Sequence, residues 1–150
     1  MNNSPVTIRD IKLEDRNEWE ILFQSYADFY QVEINDNIIN AVWEWLYASE
    51  HELQGLVGEI DNKVIAFAHY RRMPSPLRGK DIGFLDDLYV LPECRGQKIG
   101  EQLIKQLKQI SIDKKWILIR WITQDNNVRA KKVYDKVSSK TNWDVYELSS

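Results

Sequence analysis

One α+β domain, with a mixed and mostly antiparallel sheet flanked by about four helices, is the fold that three features of the sequence predict. Apolar residues recur at helical spacing in four separate stretches. Alternating or continuous apolar runs mark strands between them, and a two-residue polar turn joins two of those runs as a hairpin. The 150 residues suit a single domain with a workable core, residues 1–150 throughout, because no internal repeat, low-complexity tract or linker divides them.

The elements follow in order. Val6 to Arg9 alternates as a short strand. Trp19, Leu22, Phe23, Tyr26, Phe29 and Tyr30 fall three and four apart, which predicts an amphipathic helix over Glu14 to Tyr30. Asn35 or Asp36 caps a second helix, with Ile39, Val42, Trp43 and Leu46 on its apolar side. Such aromatic stripes usually pack on a sheet; they also make Tyr26, Tyr30 and Trp45 candidates to line a ligand pocket. Gly55 to Ile60 and Lys63 to Arg72 form a hairpin through Asp61-Asn62. Met73 to Lys80, with Pro74, Pro76 and Gly79, reads as a loop. Ile82 to Leu91 is a strand stopped by Pro92, which lacks a ladder donor. Ile99, Leu103, Ile104, Leu107 and Ile110 place a helix over Gln97 to Lys114. Trp116 to Ile122 is nearly all apolar and reads as a buried central strand. Asn126 or Asn127 caps a short helix reaching about Val137, and Trp143 to Leu148 reads as a final strand.

Composition narrows the function classes. A net charge of −3 and a pI of 5.4 argue against a general nucleic-acid binder. The single cysteine, Cys94, rules out an intrachain disulfide and fits a reducing compartment. No apolar run approaches the roughly 20 residues that span a bilayer, and the first residues lack a signal-peptide core, so a cytoplasmic protein with no membrane partner is expected. Metal-ligand spacing is absent, and so is the Gly-Lys-Ser/Thr of a nucleotide-triphosphate loop.

The stretch from Phe84 to Gln102 carries the chemistry. A strand ending in Leu91-Pro92 leads into Arg95-Gly96-Gln97-Lys98-Ile99-Gly100 and then the start of a helix. A glycine-bearing turn that opens a helix aims unpaired N–H groups and the positive end of the helix dipole at whatever lies in front of it. That makes an anion site, most naturally for a pyrophosphate. Asp86 and Asp87, just upstream, cannot serve an anion and point to a second task. On a regular strand they face opposite sides of the sheet, so only one of them meets the site.

The element order, with Arg95, Gly96 and Gly100 after L-Y-V-L-P-E and with Asn127, Ala130 and Tyr134 in the pattern Asn-x-x-Ala-x-x-x-Tyr, resembles the GNAT superfamily of N-acetyltransferases. The acidic pair in F-L-D-D-L-Y-V is similar to that of the polyamine and thialysine enzymes. S-Y-A-D-F-Y-Q-V and T-Q-D-N-N-V-R-A are similar to fungal histone/polyamine acetyltransferases. Two departures stand out: Lys98 replaces the family's first loop glycine, and Ser138-Ser139 replaces Gly-Phe. Lys98 is expected in the first helical turn with ordinary dihedrals.

The resemblance implies acetyl-CoA as co-substrate and a primary amine as acceptor, without a metal. Arg95, Gly96, Gln97, Lys98, Ile99 and Gly100 would hold the pyrophosphate, with Asn127 and Ala130 on the following helix. Leu88, Tyr89 and Val90 would present backbone groups to the pantetheine arm and the oxyanion. Tyr134 is the expected acid at the leaving thiolate, since seven residues after Asn127 bring both to one helix face. Asp86 matches the carboxylate assigned to deprotonation through water, and Asp87 a substrate-binding acid alongside Tyr26 and Tyr30. A carboxylate is a poor direct base for an ammonium of pKa about 10.4, so alignment of a cation is the more defensible role. The acceptor implied is a small cationic amine, polyamine or lysine-like. A protein lysine, an amino acid, or a non-catalytic acyl-CoA-binding role are the alternatives. By analogy the chain would form a homodimer, through the last strand. Cys94 has neither His51 nor His69 beside it in sequence to activate it as a nucleophile.

Overall fold

Two apolar faces of one sheet organise the chain. The computed structural model describes residues 4–150. Strands β1 (Thr7–Asp10), β2 (Gln54–Ile60), β3 (Lys63–Ser75), β4 (Lys80–Val90) and β5 (Ile119–Trp121) lie side by side in that order. The first three junctions are antiparallel, and β4 with β5 is parallel. Helices α1 (Arg16–Phe29) and α2 (Asp36–Tyr47) cover one face, where Trp19, Leu22, Phe23, Ile39, Val42 and Trp43 pack on Val57, Val64, Phe67 and Tyr89. Helix α3 (Ile99–Asp113) covers the other, with Leu103 and Leu107 against Leu56, Ile65, Ala68 and Leu85. Each large side chain buried in this way contributes about 1.5–3 kcal/mol. Helix α4 (Val128–Val137) buries no residue and lies beside the start of α3, where Lys136 meets Glu101 at 3.5 Å.

Local chemistry sets the boundaries. Asn35 caps α2 by accepting from Ile38 N–H at 3.0 Å. Asp61 and Asn62 both have positive φ, at 51° and 64°, as the tight β2–β3 turn requires. Arg9 bonds Asp15 and Glu59 at once, at 2.7 and 2.8 Å, tying β1 to β2 and to the start of α1.

Three sequence expectations are corrected. Met73 to Ser75 is strand, paired with Lys80 to Ile82, and only residues 76–79 turn. β2 ends opposite Tyr70, so this arm of β3 is a sheet edge, where the missing N–H of Pro74 is tolerated. Trp116 to Ile122 is not a buried central strand: Ile119–Trp121 is the strand, at the sheet edge and half-buried, with Ile117 N–H and Leu118 C=O bonded to β4 just before it and the Ile117 and Ile122 side chains exposed. Trp143 to Leu148 forms no strand. It has no ladder partner among the described residues, and its side chains stand in solvent, Trp143 at 72% and Leu148 at 99% exposure.

Candidate active site

The sheet opens where β4 outruns its parallel neighbour. Pairing of β4 with β5 covers only Gly83, Phe84 and Leu85 against Ile119, Arg120 and Trp121. From Asp86 onward the flank of β4 that faces β5 has no partner strand among the described residues. Gly83 sits at the root of this wedge, where a Cβ would stand 2.7 Å from the Trp116 ring; the glycine admits the indole. Leu88 and Val90 turn their side chains to the α3 face and Tyr89 to the α1 face, so toward the wedge they offer backbone groups.

The loop beyond β4 is a run of unused donors. Gly96 has φ +86° and Lys98 φ +60°, and the N–H groups from Gly96 to Glu101 find no acceptor among the described residues. A Cβ at Gly96 or Gly100 would meet nothing within 4 Å, so the space in front is open. Ile99, the first residue of α3, is buried against the sheet and anchors the turn, while Gln97 and Lys98 are exposed. Converging free N–H groups at the N-terminus of a 15-residue helix fit a pyrophosphate. Lys98 is corrected here: it is left-handed, not in the first helical turn, and occupies the conformation that a glycine would adopt without strain. Arg95 is tied back to Val90 C=O at 3.2 Å and lies over Tyr89 and Phe29.

The two carboxylates face the same way. A bulge in β4 leaves Asp86 without a partner between the pairs His69–Asp87 and Tyr70–Leu85, so the strict alternation expected of Asp86 and Asp87 fails. Both turn to the α1 face. Asp86 binds Arg71 Nε at 2.9 Å, and Asp87 accepts from His69 Nδ1 at 2.8 Å. His69 is buried at 1% exposure, and its Nε2 accepts from Trp19 Nε1–H at 2.9 Å. An acceptor at Nε2 must donate at Nδ1, which is the neutral tautomer, so His69 has no free nitrogen with which to act as a base.

Burial first, and then the nearby Asp87 carboxylate, push the Tyr26 phenol well above the ordinary tyrosine range. Tyr26 and Tyr30 meet edge-on at 5.0 Å, and Tyr30 Oη accepts from Asn127 Nδ2 at 3.3 Å. Asn127 caps α4 through Ala130 N–H at 3.3 Å. Tyr134 rests edge-on against Trp121 at 5.3 Å, and burial, then Tyr30, push it up to about 12. The phenol therefore keeps its proton and remains a donor. Thr123 Oγ1, on the segment between β5 and Asn127, is buried without a hydrogen-bond partner.

The wedge thus joins a donor-rich loop to a cluster of Tyr26, Tyr30, Asp87, Asn127 and Tyr134. Asp86, next to Asp87 at the bulge, is engaged instead by Arg71. Sequence reasoning missed His69, Trp19 and Arg71. The period-2 run A-F-A-H-Y-R-R carried a usable signal, since it sets His69 and Arg71 on one strand face. Burial and neighbouring Glu93 raise the Cys94 thiol, which disfavours a thiolate nucleophile there.

Comparison with known proteins agrees with this fold. The profile of the acetyltransferase (GNAT) family matches residues 19–138. The D-amino-acid N-acetyltransferase HPA3 of Saccharomyces cerevisiae is 23% identical over 98% of this chain and 92% of its own length. Thialysine N-epsilon-acetyltransferase of Bos taurus is 37% identical over 47% of this chain, a match that spans 41% of that protein. Among solved structures, an aminoglycoside N-acetyltransferase in complex with CoA superposes with a TM-score of 0.84 at 20% identity, covering 99% of this chain and 97% of its own. A ribosomal-protein-alanine N-acetyltransferase from Brucella melitensis gives 0.81 at 21% identity, covering 97% and 99%. The chain belongs to the GNAT family of acetyltransferases, and it is an acetyl-CoA-dependent N-acetyltransferase.

Proposed function

We propose that the acceptor is a small cationic primary amine, polyamine or lysine-like, acetylated by direct attack. The observation that carries this reading is the convergence of Asp87, Tyr26, Tyr30, Asn127 and Tyr134 on the open flank of β4, with no activated nucleophile among them. The names of the relatives, thialysine and D-amino-acid acetyltransferases, support a small amine.

Acetyl-CoA supplies the acetyl group as a thioester. The free N–H groups of Gly96 to Glu101 hold the pyrophosphate, assisted by Lys98, and the flank of β4 from Leu88 to Val90 that has no partner strand lines the pantetheine arm and offers an N–H to polarise the carbonyl. Asp87, held by His69, aligns the amine, and a water beside it takes the proton as the C–N bond forms. Tyr134 donates to the sulfur as the C–S bond breaks, and CoA leaves as a thiol. Asp86, the carboxylate first expected to relay the proton, is engaged by Arg71 and takes the lesser part here.

The same reading includes a cytoplasmic homodimer, with the unpaired 143–148 segment meeting a second copy, and no nucleic-acid partner. Thiol release over a panel of polyamines, amino acids and lysine peptides tests it. Turnover of small amines is expected. Turnover confined to peptides, or acetylation that passes through a stable acetyl-enzyme, would overturn it.

A further inference from the structure

Arg71 presents a guanidinium whose outer edge is unused. Its Nε donates to both Asp86 oxygens, at 3.2 and 2.9 Å, and its guanidinium carbon lies 4.7 Å from the centre of the Phe84 ring. Neither Nη group has an acceptor among the described residues, and the side chain is 38% exposed. Neighbouring arginines differ. Arg72 spends Nη1 on Asp81 and Nη2 on Glu52, and Arg9 spends its pair on Asp15 and Glu59. Arg71 is therefore fixed by a carboxylate and a ring while its fork stays open, which is the arrangement that binds a second carboxylate in two-pronged fashion.

Its position gives that fork a task. Arg71 lies two residues beyond His69 on β3, about 6.8 Å along the same sheet face. The bulge at Asp86 sets the Arg71–Asp86 pair directly beside the His69–Asp87 pair. An acceptor whose amine lies at Asp87 can thus reach Arg71 with a group a few bonds away. A polyamine would bring a second cation there, facing a guanidinium whose one carboxylate is already engaged. A carboxylate-bearing amine would bring an anion.

We infer that the acceptor is an amino acid, and that Arg71 is the specificity-determining residue that binds its carboxylate while Asp87 aligns its amine. The inference rests on the small-amine reading above and decides between its two branches.

Thiol release with both enantiomers of lysine, lysine methyl ester and cadaverine, on wild type, Arg71→Gln and Arg71→Lys, tests it. The wild type is expected to favour lysine over its ester and over cadaverine by about 10- to 100-fold in kcat/KM. In Arg71→Gln the acid-to-ester ratio should fall toward one, with Arg71→Lys in between. Equal use of acid, ester and cadaverine by the wild type would overturn the proposal while leaving the small-amine reading intact. So would an Arg71→Gln enzyme with the acid-to-ester ratio unchanged. Acetylation of peptide lysines alone would remove both. If Arg71→Gln fails to fold, the wild-type ratio of acid to ester still decides.

Discussion

Under the proposed function, the loop beyond β4 and the bulge within it solve recognition in opposite ways. In the loop from Arg95 to Gly100 the proposed contacts are made by backbone: left-handed residues at Gly96 and Lys98 leave consecutive N–H groups free, and side-chain identity should matter little. Around Asp86 and Asp87 the proposed contacts are made by side chains from α1, β3, β4 and the start of α4, held by bonds to one another. The backbone site tolerates a lysine at a position suited to glycine. The side-chain site should not tolerate loss of a member, because each buried polar group there is another's partner.

That contrast can be broken or sharpened by substitution. The largest effect is expected for Tyr134→Phe, with kcat reduced about 100-fold and the KM for acetyl-CoA little changed. Because burial pushes Tyr134 up to about 12, the phenol stays protonated at any working pH. The rate should then rise as the amine loses its proton, up to about pH 10, in wild type and variant alike. A fall below pH 10 that is specific to wild type would contradict this.

His69→Phe should come next. It leaves the Trp19 indole N–H buried without an acceptor and Asp87 without its orienting donor, at a cost of about 1–3 kcal/mol in urea unfolding and about tenfold in kcat/KM. Trp19→Phe keeps the bond to Asp87, so stability should fall with a smaller loss of kcat/KM. Equal activity losses in both variants would mean that His69 serves packing alone. Gly83→Ala places a methyl against Trp116 at the root of the wedge and should lower stability by about 1–3 kcal/mol in thermal melts. An unchanged melting temperature would show that the indole can retreat. The smallest effect belongs to Lys98→Gly: relief of a left-handed lysine worth about 1 kcal/mol, with acetyl-CoA KM changed about threefold at most. A much larger rise in KM would mean that the loop depends on the ammonium rather than on its N–H groups.

Legibility followed the same division. The helices, the Asp61-Asn62 turn, the caps at Asn35 and Asn127 and the donor-rich loop are local, set by residues within a turn or two of each other. All could be read from spacing. The apolar run at Trp116 misled because hydrophobicity alone does not distinguish a central strand from an edge strand that also supplies a ring to fill the space over Gly83. The final stretch misled because alternation makes a strand only where a ladder partner exists, and residues 143–148 have none among the described residues.

By itself, then, the sequence determined the fold class, the order of elements and the glycine-bearing loop proposed to hold the cofactor, because those depend on local periodicity and turn chemistry. Only the tertiary structure decided that Asp86 and Asp87 share a face, that Asp87 answers to His69 and Asp86 to Arg71, and that Tyr134 lies near Tyr30. Those facts depend on one bulge and on strand register, and register is set by long-range packing that no short stretch of sequence contains.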